Sequence, residues 1–114
     1  MSGTDRLLGA IGLCKRAGRL ICGVPLICTE MRKGGQVHLV LAASDASENT
    51  KKKLNDKCNF YRVQLVYLPY TADELACAVG KTAPIGAVAI TDAQMVRAVQ
   101  VHLQGQEIPL QGQE

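Results

Sequence analysis

The chain has 114 residues, is 47% hydrophobic but only 4% aromatic, and carries a net charge of +3. That length suits one domain with an aliphatic core of its own, and no apolar run approaches the roughly 18 residues a membrane span needs. The mild positive charge permits a nucleic-acid partner without requiring one.

The opening "MSGTDRLLG" mixes acid and base ahead of its apolar residues, unlike a signal peptide, so a cytoplasmic protein is expected. Thr4 is placed to cap a helix through Leu7, Leu8, Ile11 and Cys14 that ends near Gly18. "RLICG" (residues 19–23) reads as a short strand. Pro25 then suits the first turn of a second helix, with Val24, Ile27, Cys28 and Met31 on one stripe and "KGG" at its end. "QVHLVLAA" (residues 36–43) is apolar on both faces, as a strand covered by helices on each side must be. A third helix follows; Asp45 with Glu48 fits a capping box, and Ser47 is the competing cap. Leu54, Cys58 and Tyr61 form its buried face. "VQLVYLP" is the next strand, Thr71 caps a short helix ending at Gly80, "PIGAVAIT" is a further buried strand, and Asp92 opens the last helix. This alternation predicts a three-layer α/β/α sandwich over residues 1–104, with a mixed, largely parallel sheet of about four strands and about five helices. Residues 105–114, which repeat the "LQGQE" of residues 103–107, read as a polar flexible tail. They hold two acids and no base, leaving thirteen bases against eight acids in the rest.

The chemistry of a catalytic or metal site does not assemble. Five cysteines without a C-x-x-C pair read as core or near-core thiols, and His38 and His102 offer no matching metal spacing. "GKT" (residues 80–82) lacks the upstream glycine of a phosphate loop and runs from helix to strand, the reverse of that motif, so it reads as a helix end. The Asp73–Glu74 pair complements a helix dipole. "LCKRAGR" puts bases at a helix C-terminus, which the dipole also explains. Lys51, Lys52 and Lys53 are different. They follow a helix start, where cations are disfavoured; the choice lies between an anionic partner and a solvated face. The helix starts near Val24, Ser47 and Thr71 are expected along one rim, with the loop from Lys81 to Pro84 beside them. Such a rim suits a phosphate backbone. With only Phe60, Tyr61, Tyr67 and Tyr70 as aromatic residues, folded RNA is a better fit than stacked single strands.

"GLCKRAGRLICG", "LVLAASDASENTKKKLNDKC" and "AVGKTAPIGAVAITD" resemble, in order and spacing, the ribosomal L-seven-A-e / L-thirty-e family of kink-turn RNA-binding proteins, in particular its small bacterial ribosome-associated subgroup. The resemblance implies an α/β/α fold, no catalysis, no cofactor and no metal. It also implies a structured RNA partner, ribosomal RNA or kink-turn-like, on or near the ribosome or its proteins, rather than a membrane or a small-molecule substrate. The family's contact segments fall on Gly23 to Thr29, Ala46 to Thr50, and Lys81 to Gly86. The family's kink-turn signature opens the second helix with glycine, a small residue, asparagine and glutamate, with lysine three residues on. Here Gly23 stays, but Val24, Pro25, Leu26 and Thr29 follow. The residues expected to meet RNA are therefore Gly23, Val24, Pro25 and Leu26, with Gly23 allowing close backbone approach. Ser47, Asn49 and Thr50 would donate hydrogen bonds. Lys51, Lys52, Lys53 and Lys81 would supply charge, and Pro84 with Ile85 would buttress a displaced base. The alternative is a protein-interaction module that kept the fold and lost kink-turn recognition, docking through the apolar corner at Leu26.

Overall fold

A computed structural model describes residues 3–103; the tail reading for residues 105–114 falls outside them. The chain alternates α1 (Gly3–Arg16), β1 (Leu20–Cys22), α2 (Val24–Arg32), β2 (Leu39–Ala42), α3 (Glu48–Tyr61), β3 (Gln64–Tyr67), α4 (Ala72–Ala78), β4 (Ala87–Ile90) and α5 (Ala93–Leu103). The four strands make one sheet in the order β1-β4-β2-β3.

The period-2 geometry of the central strands sorts their side chains into two cores. Leu39, Leu41, Val88 and Ile90 face α1, α4 and α5. Val40, Ala42, Ala87 and Ala89 face α2 and α3, where Ile27, Met31, Leu54 and Cys58 close over them. Every residue of β2 and β4 is buried, which is why both strands read as unbroken apolar runs. Burying one such aliphatic side chain is worth about 1.5–3 kcal/mol, so two aliphatic layers stabilise the sheet with few aromatics. On the outer layer α1 crosses α4 closely: a Cβ on Gly12 would sit 3.0 Å from the Ala78 carbonyl oxygen.

Three sequence expectations change in detail. The sheet is mixed, as expected, but only β2 and β3 form a parallel pair; β4 is antiparallel to both β1 and β2. An all-apolar strand records cover on both faces, not direction. Thr4 lies inside α1, which already begins at Gly3. Cys77 is exposed, while Cys14 and Cys58 are buried and Cys22 and Cys28 half-buried. Burial pushes the Cys58 thiol up to about 12, the behaviour of an inert core thiol.

The helix ends follow local chemistry. Thr71 and Glu74 form a reciprocal capping box on α4. Asp92 Oδ1 accepts from the Gln94 N–H at 2.7 Å at the start of α5. Gly80, with φ of 75°, follows the last turn of α4, so "GKT" is a helix end and not a phosphate loop.

Candidate nucleic-acid interface

β1, β2 and β3 all run in the same direction, because β1 and β2 each oppose β4 and β3 parallels β2. The helices that follow them, α2, α3 and α4, therefore begin at one end of the sheet. β4 runs the other way, so the loop that precedes it arrives at that same end. Backbone hydrogen bonds lace the end together. Gly23 N–H donates to the Ala87 carbonyl at 2.9 Å, Ala43 N–H to Gly86 at 2.8 Å, Ser44 N–H to Tyr70 at 2.7 Å, and Ile85 N–H to Ala72 at 3.1 Å. Gly86 is the meeting point. A Cβ there would lie 3.6 Å from Val24 Cγ2 and 3.8 Å from Thr50 Cγ2, so the starts of α2 and α3 and the loop before β4 are in mutual contact.

The two helix starts differ. At α2, Gly23 takes φ of 104° and ψ of 137° and supplies no side-chain cap. Val24 packs inward against the α2–α3 core, whereas Pro25 and Leu26 are exposed, Leu26 at 61%. Pro25 in the first turn also removes a backbone donor. At α3, Ser47 is the cap. Its Oγ accepts from Thr50 N–H at 3.1 Å while its hydroxyl donates to Thr50 Oγ1 at 3.0 Å. Asn49 beside them is exposed. Asp45, the other candidate cap, is engaged elsewhere. Its Oδ1 accepts from Ala72 N–H at 2.9 Å, so it binds the first turn of α4 to the start of α3.

The lysine run does not form one patch, since successive helical residues diverge by about 100°. Lys51 and Lys52 share a groove with Asn55 and Tyr67, while Lys52 and Lys53 share another with Asn49 and Phe60. Lys51 pairs with Glu48 at 3.8 Å and Lys52 with Asp56 at 3.6 Å. Surface pairs of this kind are worth roughly 0–1 kcal/mol, little enough for a phosphate to displace. Among the described residues Lys53 and Lys81 make no ion pair.

Lys81, beyond Gly80, is exposed. Burial raises the Cys22 thiol, and the charges of Lys15 and Lys81 partly offset that rise. Ile85 departs from its expected role. It is 6% exposed and belongs to the α1-side core, which leaves Pro84 as the exposed half of that pair. Both lie in the loop before β4, where the Ile85 N–H bond to the Ala72 carbonyl at 3.1 Å ties Ile85 to the start of α4.

The chain is thus an α/β/α sandwich in which three helix starts and one loop meet at one end of the sheet. The chain belongs to the Ribosomal protein L7Ae/L30e/S12e/Gadd45 family, whose model matches residues 5–99. It is 41% identical over 86 residues to the RNA-binding protein YlxQ of Bacillus subtilis (strain 168), covering 72% of this chain and 79% of that protein. The RNA-binding protein YlxQ of Enterococcus faecium is 39% identical over 77 residues, 68% of this chain and 73% of that one. Among solved structures, a protein of unknown function from Bacillus halodurans C superposes with a TM-score of 0.77 at 32% identity, over 86% of this chain and 96% of its own. The Giardia lamblia 15.5kD RNA binding protein shares the fold, with a TM-score of 0.71 at 16% identity over 90% of this chain and 86% of its own.

Proposed function

We propose that this chain is a non-catalytic RNA-binding protein that seats a structured RNA, ribosomal or kink-turn-like, on the rim formed by the starts of α2 and α3 and the loop before β4. The observation that carries the reading is the contact at Gly86, which makes one surface of three segments far apart in sequence. The name shared by the two YlxQ relatives supports RNA as the partner. Gly23 and Gly86 let the RNA backbone come close. The free amides of the α3 start and exposed Asn49 donate to phosphate or sugar. Lys51, Lys52, Lys53 and Lys81 supply the charge.

Recognition falls on shape and backbone more than on bases. Sheared base pairs would be read by a carboxylate and an amide at the α2 start, and those positions hold Pro25 and Leu26. A titration of the protein against a kink-turn hairpin, the same hairpin with its kink closed by Watson–Crick pairs, and a ribosomal RNA fragment tests this. Binding to the kinked hairpin and the ribosomal fragment, with less than about tenfold preference over the closed hairpin, is the expected result. Failure to bind any of the three at low salt refutes the reading. The exposed Leu26 favours a protein contact as the second reading, which predicts binding to ribosomal proteins that persists at high salt and is lost in Leu26→Ser.

A further inference from the structure

The outer side of α3 carries a second stripe that shares Lys53 with the rim and continues beyond it. Lys53, Lys57 and Phe60 fall at i, i+4 and i+7, the spacing that stacks side chains along one side of a helix. Asn49, one turn before Lys53, lines the same open groove as all three, so the stripe starts at the rim and runs outward along about 16 Å of helix. Phe60 is 77% exposed. It differs in this from the other aromatic residues: Tyr70 is buried, Tyr67 donates its hydroxyl to Asn55 at 3.3 Å, and Tyr61 packs against the α2–α3 core. Phe60 meets Tyr61 edge-on, with centroids 4.8 Å apart and planes at 83°. Neither Lys53 nor Lys57 makes an ion pair among the described residues. A single exposed phenylalanine is ordinary by itself. One flanked by two cations without counter-ions, at the end of a groove that opens from an RNA rim, has the make-up of a stacking platform with phosphate clamps.

We propose that Lys53, Lys57 and Phe60 form a second RNA contact, which takes a short single-stranded segment leaving the structured RNA held at the rim. Phe60 stacks on a base and the two lysines meet its phosphates. The groove carries three lysines against one carboxylate, Asp56, which pairs with Lys52 at 3.6 Å, and that surplus of positive charge favours a nucleic-acid strand over an apolar protein surface. This contact rests on the RNA-binding reading above, and it extends that reading from shape recognition to flanking sequence.

The test uses two RNAs, a blunt kink-turn hairpin and the same hairpin carrying six uridines at one end, with the 5′ and 3′ versions tried separately. Affinities are read by fluorescence anisotropy for the wild type, Phe60→Ala, Phe60→Trp and Lys53→Gln/Lys57→Gln. One of the extended RNAs should bind the wild type about tenfold tighter than the blunt hairpin, a gain within the range expected for stacking one base. Phe60→Ala should abolish that gain and leave the blunt hairpin unaffected, Phe60→Trp should keep it, and the lysine variant should shrink it and flatten its salt dependence. If the blunt hairpin binds but neither extension adds affinity, or if Phe60→Ala keeps the gain, this contact is refuted and the rim stands. If the wild type binds none of the RNAs, both fall together.

Discussion

α2 and α3 begin side by side on one rim, and their first turns are built from opposite chemistry. The α2 start is a bare glycine followed by valine, proline and leucine, with no side-chain cap and no charge. The α3 start is a serine cap tied to Thr50, an exposed asparagine, and three lysines placed against the helix dipole. The α2 turn is held by packing, because Val24 reaches the core and lies against Gly86. The α3 turn is held by hydrogen bonds and keeps its polar groups outward. One start supplies shape and the other supplies charge, and the loop at Gly86 joins them.

Substitutions at three positions probe that division, taken from the largest expected effect to the smallest. Gly23→Ala forces a side chain into φ of 104°. Space is not the obstacle, since the nearest atom to the new Cβ is Pro25 Cδ at 4.0 Å. The cost is backbone strain, about 1–3 kcal/mol, read as a lowered urea midpoint with unchanged slope. A midpoint equal to the wild type would show that the α2 start is more adaptable than its geometry implies. Ser47→Ala removes the α3 cap and should cost about 1 kcal/mol, with Ser47→Gly costing only a few tenths. Equal losses for both would mean that the cap's hydrogen bond matters less than its backbone. Pro25→Ala restores an amide at an exposed position and should change stability by less than about 0.5 kcal/mol. It should also leave RNA affinity within about twofold. A large gain in affinity would show that the α2 start is a phosphate site silenced by proline, and the contrast between the two helices would collapse.

Much of this arrangement is legible in the sequence, and the exceptions have physical causes. Helix stripes such as Leu54, Cys58 and Tyr61 and the all-apolar strands announce themselves by period. The direction of β4 does not, because burial on both faces is the same for either direction. That direction matters: a parallel β4 would have carried the loop from Lys81 to Gly86 to the far end of the sheet, away from the helix starts. Asp45 and Ser47 are both acceptable caps by type. The choice between them is set by Ala72, twenty-seven residues away, whose N–H claims the Asp45 carboxylate. Phe60 left a signal that residue counting would catch: it falls on the Lys53–Lys57 stripe and not on the buried Leu54–Cys58–Tyr61 stripe.

Charge-based RNA binding at the α3 start underlies the functional reading. Its sharpest test is the slope of log affinity against log salt, measured from 50 to 200 mM on one kink-turn hairpin for the wild type and for Lys51→Ala/Lys52→Ala/Lys53→Ala. If each lysine meets a phosphate, the variant should lose about 10- to 100-fold in affinity at the lower salt and its slope should flatten by up to about three. A variant that binds with the affinity and slope of the wild type would show that RNA, if bound, is held elsewhere.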